Sequence, residues 1–130
     1  EEVLDAMPDI DYLVGSGPMA EAAVPILRAR GLESEVEVVS TYLSHAVYRG
    51  VVRGRILAAP TDSPVLQGRL SIEMAVRALE DRLSTRHAGP RIWTVTPVTA
   101  GNDVIEGSLA PASFVPVFSL EAGPVPLRSP

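Results

Sequence analysis

The residues with the richest chemistry crowd into one stretch, Val38 to Gly50, which reads VVSTYLSHAVYRG. Ser40, Thr41, Tyr42, Ser44 and His45 come in quick succession, and Tyr48 and Arg49 follow within a helical turn. A hydroxyl beside a histidine could be an activated nucleophile. An aromatic face among hydroxyls could be the wall of a binding site for a cationic group. A serine between a strand and a helix could simply cap the helix. Each reading makes its own demands on the rest of the chain.

Catalysis asks for partners. Ser16, His45 and Asp62 fall at the ends of three neighbouring strand candidates, so a Ser-His-Asp triad is conceivable. The nucleophile elbow of α/β hydrolases, G-x-S-x-G, is absent; LVGSGPM places Ser16 directly after Gly15. His45 and His87 stand far apart and show no metal-ligand spacing. His87, in STRHAGP, suits a surface turn after a long helix. GSGPMA lacks the phosphate-loop and dinucleotide patterns. A glycosidase needs two placed carboxylates, and Asp62 is the acid that falls at a strand end. All eleven basic residues are arginine, so Schiff-base chemistry is excluded. The expectation is a protein that is not an enzyme, with no catalytic residue, metal or cofactor.

Composition narrows the class further. The 130 residues suit one domain, with 46% hydrophobic and 21% charged residues as in globular chains. A net charge of −5 offers no basic face to nucleic acid or an anionic membrane. No apolar run approaches the roughly 18 residues of a membrane span. There is no cysteine. Glu1 to Met7, EEVLDAM, has helical spacing and no N-cap, and reads as the end of a helix whose start is missing. The chain therefore reads as a fragment of a longer protein.

The elements that must position these residues alternate. Strands are predicted at Asp11 to Gly15, Glu35 to Thr41, Arg55 to Pro60 and Arg91 to Pro97, as short apolar runs bounded by Gly and Pro. A helix is predicted over Pro18 to Arg30, with Ser16 as cap, Gly31 as stop and Pro25 as an interior misfit. A short one follows from His45 to Arg53, capped by Ser44. The third is capped by Ser63, starts at Pro64, and keeps Val65, Ile72, Val76, Leu79 and Leu83 in period to about Ser84. Alternation of this kind predicts an α/β fold: a three-layer α/β/α lobe, its mainly parallel sheet of about four strands joined by right-handed crossovers. Residues 1–107 form this lobe. Residues 108–130 form a Pro/Gly-rich tail, in which Phe114 to Leu120 alternates weakly and could add an edge strand. Ligands of open α/β sheets bind at the carboxyl ends of the strands. Here those are Gly15 to Gly17, Thr41 to His45, Pro60 to Ser63 and Thr96 to Thr99.

With these elements in order, the chain resembles the C-terminal lobe of a type I periplasmic binding protein. DIDYLVGSGPMAEAAVPILRARG is similar to that family's strand-loop-helix, often ND-x-x-A-x-G in sugar binders. VEVVSTYLSHAVYRGVVRGRILAAPTDSPVLQGRLSIEMAVRALE resembles its second strand, short helix, AA strand, polar loop and long helix, and RIWTVTPV its closing strand. Sugar binders carry Asn, Asp and Gln where this chain has Ser16, Tyr42 and Asp62. The segments VVSTYLSHAVYRG, ILAAPTDSPVLQGR and GSLAPASFVPVFSL are most similar to the TorT family of the trimethylamine N-oxide sensing system.

The resemblance implies a periplasmic, two-lobed sensory protein. Its ligand would be trimethylamine N-oxide or a related methylamine, and its partner the periplasmic domain of a membrane sensor histidine kinase. Carried onto this sequence, the ligand-binding positions are Tyr42, Asp62 and Ser16. It also implies a missing N-terminal lobe, and leaves an exposed face through which a homodimer could form. Three alternatives stay open: a sugar-binding component of an ABC transporter, the effector domain of a sugar-responsive repressor, and a Ser-His hydrolase.

Overall fold

The computed structural model describes residues 2–117. In chain order the elements are α1 (Glu2–Ala6), β1 (Tyr12–Gly15), α2 (Gly17–Arg30), β2 (Glu37–Ser40), α3 (His45–Val52), β3 (Ala59–Thr61), α4 (Pro64–Leu79), β4 (Trp93–Val95) and α5 (Asp103–Glu106). Strand β2 holds the sheet together. On one side it pairs in parallel with β1, Tyr12 opposite Glu37 and Gly15 opposite Ser40. On the other, Val39 bridges Ala58 in parallel, Leu57 N donates to Val38 O, and Ser40 N donates to Ala58 O. Alternation along β2 turns Val38 and Ser40 inward and leaves Glu37 exposed.

Helices α2 and α3 bury one stripe each. Ala20, Ala23 and Leu27 of α2 pack on β1 and β2, and the two alanines let the helix lie close. Helix α2 runs on through Pro25, whose position is exposed, and stops at Gly31 as expected. Gly31 takes φ 70°, which glycine adopts without steric cost, and Leu32 N closes the end on Leu27 O. An ion pair from Arg30 to Asp5, 2.6 Å long, ties α1 to α2. In α3, Val47 and Val51 are fully buried. Gly50 is there because Ile56 needs the room: a Cβ at that position would lie 2.6 Å from Ile56 Cδ1.

The result is an α/β/α lobe with a mixed sheet. The closing strand departs from an all-parallel arrangement. Strand β4 pairs antiparallel with β3, Ala59 opposite Val95 and Thr61 opposite Trp93. A right-handed crossover requires its helix to pack back on the sheet. Helix α4 packs extensively against no other described helix or strand, and the chain re-enters beside the end of β3 it left.

Helix α4 itself keeps its predicted period without the predicted burial. None of its residues is buried; Ile72 is 70% exposed and Val76 46%. It also ends at Leu79 instead of about Ser84, because Asp81 takes a left-handed φ of 55° and Arg82 N turns back to Arg77 O. One helix was not foreseen, the short α5, capped by Asn102 Oδ1 on Val104 N at 2.9 Å. Of the weakly alternating Phe114 to Leu120, residues 114–117 form no strand; the rest lies outside the described residues.

Replacing Ile56, 1% exposed, by Ala is expected to cost about 2–5 kcal/mol. Ile72→Ala on α4 is expected to change stability by no more than about 0.5 kcal/mol. Urea denaturation of the two variants checks both; equal losses would contradict this burial pattern.

Candidate functional site

The opening stretch is anchored from below by buried residues. Ser40, fully buried, donates from Oγ to Tyr42 O at 2.7 Å and accepts from Tyr42 N at 3.3 Å. Leu43, 1% exposed, pins the next position into the core. Thr41 N donates to Gly15 O at 2.7 Å, so the loop after β2 is laced to the end of β1. Gly17, the first residue of α2, is buried, and a Cβ there would sit 3.9 Å from Tyr42 O. Between these anchors the Tyr42 side chain stands 47% exposed. Ser16 is exposed beside it as the N-cap residue of α2, and its hydroxyl makes no capping bond.

Ser44 and His45 turn away to structural work. Ser44 caps α3, accepting from Val47 N at 3.0 Å, and its hydroxyl donates to Glu21 Oε1 at 2.7 Å. His45 Nε2 lies 2.8 Å from Ala110 O. A carbonyl only accepts, so that nitrogen carries the proton and cannot take one from a serine. No hydrogen bond joins Ser16, His45 and Asp62 among the described residues. His45 instead lines a groove of about 590 Å³ with Tyr48, Arg49, Arg69 and Glu106. Among the described residues no group of three metal-ligating side chains comes together.

Asp62 sits on the turn from β3 to α4. Its Oδ1 is a buried side-chain oxygen with no hydrogen-bond partner among the described residues. Leaving such an acceptor unmet is costly. It lines a groove of about 390 Å³ together with Gln67, Ser71, Met74, Pro90 and Ile92. Gln67 Nε2 donates to Asp62 O at 3.0 Å and holds the turn. Tyr42 and Ser16 do not line this groove. The sheet brings Ser16 beside Tyr42 and sets Asp62 one strand further along, in a groove that the other two do not line.

Tyr48 has a definite role in packing. It is half-buried, and its phenol donates to Ala100 O at 2.7 Å and lies 3.5 Å from Glu106 Oε1. It joins α3 to the segment leading into α5. Burial, then the charge and hydrogen bond of Glu106, push this phenol above the usual tyrosine range.

The strand ends present a tyrosine, an acid and a hydroxyl, groups of the kind that hold a small solute. The fold is similar to one lobe of periplasmic solute-binding proteins. The chain closely matches the periplasmic protein TorT of Escherichia coli, with 41% identity over 91% of its length, in both the K12 and O157:H7 strains. It spans about a third of those relatives, 34% of their length. In crystal structures of the TorS sensor domain–TorT complex, one without ligand and one with trimethylamine N-oxide, the matching chain is 43% identical with a TM-score of 0.82. The match covers 91% of this chain and 40% of that one. An ABC transporter solute-binding protein from Bradyrhizobium sp. BTAi1, holding bis-tris, is 39% identical with a TM-score of 0.81, over 91% of this chain and 35% of that one. No family model matches the chain.

The Tyr48 phenol supplies a test of the local geometry. Its raised pKa means that folding favours the neutral form. That contribution is complete below the unfolded-state pKa and is lost as pH rises through the folded one. Tyr48→Phe is expected to remove a late step from the ultraviolet phenolate titration and to flatten the alkaline fall in stability. A titration with the late step intact would assign it to another tyrosine.

Proposed function

We propose that the whole protein works in the periplasm as a sensory solute-binding protein. It closes this lobe and a second one on trimethylamine N-oxide or a related methylamine. It then presents the closed form to the periplasmic domain of a membrane sensor histidine kinase. The observation that carries this reading is the 43% match to TorT, in structures where that protein is complexed with the TorS sensor domain, one of them with trimethylamine N-oxide.

The site chemistry supports it. A trimethylammonium head is cationic and has no donor, so it is suited to an aromatic face, and Tyr42 offers one. The negative oxygen of an N-oxide needs a donor, which the uncommitted Ser16 hydroxyl can be. The unpartnered Oδ1 of Asp62 faces the cation or takes a bridging water.

The second lobe also explains α4. The chain spans 34% of its curated relatives, so most of such a protein lies outside it. The exposed stripe through Ile72 and Val76 is where the other lobe seats.

A second reading has its own support. The Bradyrhizobium relative is an ABC transporter solute-binding protein, and its bis-tris is a hydroxylated tertiary amine. On that reading the same site serves uptake, and Tyr42 still contacts an amine.

In the two-lobed protein, Tyr42→Ala is expected to weaken trimethylamine N-oxide binding roughly 2- to 30-fold, the range of a cation–π contact worth about 0.5–2 kcal/mol. Isothermal titration measures it, and an unchanged affinity would remove Tyr42 from the site. The 130-residue chain alone is expected to give no heat of binding, since one lobe leaves the ligand open to water. Micromolar affinity in that experiment would refute the two-lobed clamp.

A further inference from the structure

The turn that carries Asp62 is held by residues far from it in sequence. Thr61, 1% exposed, donates from Oγ1 to Ser108 Oγ at 3.1 Å. Ser108, 2% exposed, donates in turn to Ile105 O at 2.7 Å. Thr61 Oγ1 accepts from Ser63 N at 3.2 Å, and Ser108 O accepts from Val65 N at 3.3 Å. Both hydroxyls thus give and receive, and the two backbone N–H groups flanking Pro64 are both satisfied by this pair.

The turn needs such support. Ser63 takes φ 54° and ψ 66°, a left-handed conformation that residues with a Cβ adopt rarely. It also precedes Pro64, whose ring restricts the residue before it to extended backbone. The Ser63 side chain makes no capping bond that would reward the conformation. Strained backbone of this kind persists only where its surroundings over-determine it. Beyond the turn, α4 buries none of its residues and packs extensively against no described helix or strand. The direction in which it leaves the sheet is therefore set at its base.

We infer that Thr61 and Ser108 form a latch that fixes the Asp62–Ser63 turn and with it the direction of α4. Both act as positioning residues: they reach Asp62 only through the backbone. The binding role of Asp62 rests on the function proposed above, whereas the latch stands on this geometry alone. Through it the segment after α5 is coupled to the strand end that carries Asp62, across 47 positions of sequence.

The chain has no cysteine, so a pair introduced as Arg53→Cys after α3 and Ile72→Cys on α4 labels only those positions. Pulsed electron spin resonance on the spin-labelled chain is expected to show one narrow distance. Thr61→Val and Ser108→Ala on that background should each shift and broaden it, and the double variant should do no more than either alone. Unchanged distances in both single variants, with parental circular dichroism, overturn the latch. Should a single variant unfold, Thr61→Ser keeps the hydroxyl: a folded chain with the narrow distance supports the latch, and loss of that distance overturns it. No ligand is present, so failure of the methylamine reading leaves these distances where they are.

Discussion

Ser40 is wholly buried, and its hydroxyl has to find its partners inside the protein. It finds them on the backbone of Tyr42, donating to the carbonyl and accepting from the amide. The site depends on that constraint. Strand β2 is bonded along both edges, so it must lie in the interior, and its inward period carries Ser40 there. A hydroxyl at that place curls the chain just past the strand end and turns Tyr42 outward. Gly17 and Leu43 close in from either side. The exposed aromatic ring follows from a buried strand and a buried hydroxyl, two features selected by packing.

Local signals explain what could be read from the sequence. Strands β1 and β2 and helices α2 and α3 declare themselves by short apolar runs, by Ser44 as a cap and by Gly31 as a stop. These are decided within a few residues. The direction of β4 is decided by where the chain returns after an excursion of some thirty residues, and no local pattern encodes that. Helix α5 was legible in principle, since Asn102 is a good cap and Asp103 follows it, but its Gly- and Ser-rich setting reads as loop. The strand-end rule places Ser16, Tyr42 and Asp62 just past β1, β2 and β3, where the structure has them. The unpartnered oxygen of Asp62, the left-handed Ser63 and its dependence on Ser108 arise from contacts distant in sequence.

Helix α4 shows what periodicity does and does not report. Val65, Ile72 and Val76 keep one stripe apolar, and Leu70 and Met74 add a second apolar side, half-buried next to the 88–92 segment. The charged residues are confined between the two, where Arg77 pairs with Glu73. A helix apolar on most of its circumference belongs between layers. Period identifies the faces that require cover; it is silent on whether the cover comes from the same lobe. The antiparallel return of β4 is the structural counterpart. A helix that packed back on its own sheet would deliver the chain to the far end of β3, whereas one that serves another body lets the chain come back where it left.

The same geometry bears on the proposed ligand site, whose three residues do not share the Asp62 groove. Aromatic attraction for a methylated cation is worth about 0.5–1 kcal/mol at an exposed ring and about 2 or more once water is excluded. Tyr42, at 47% exposure, is in the first regime. Ser16 beside it is open to solvent, and Asp62 lies one strand away in a separate groove. Three such groups grip a small solute only when a second surface covers the strand ends and drives water from all of them together. Helix α4 leaves the sheet from the residue next to Asp62, so whatever seats its apolar stripe is brought to the edge of the same site. On the proposed function, seating α4 and closing over the ligand are linked through the Asp62–Ser63 turn, which joins the two.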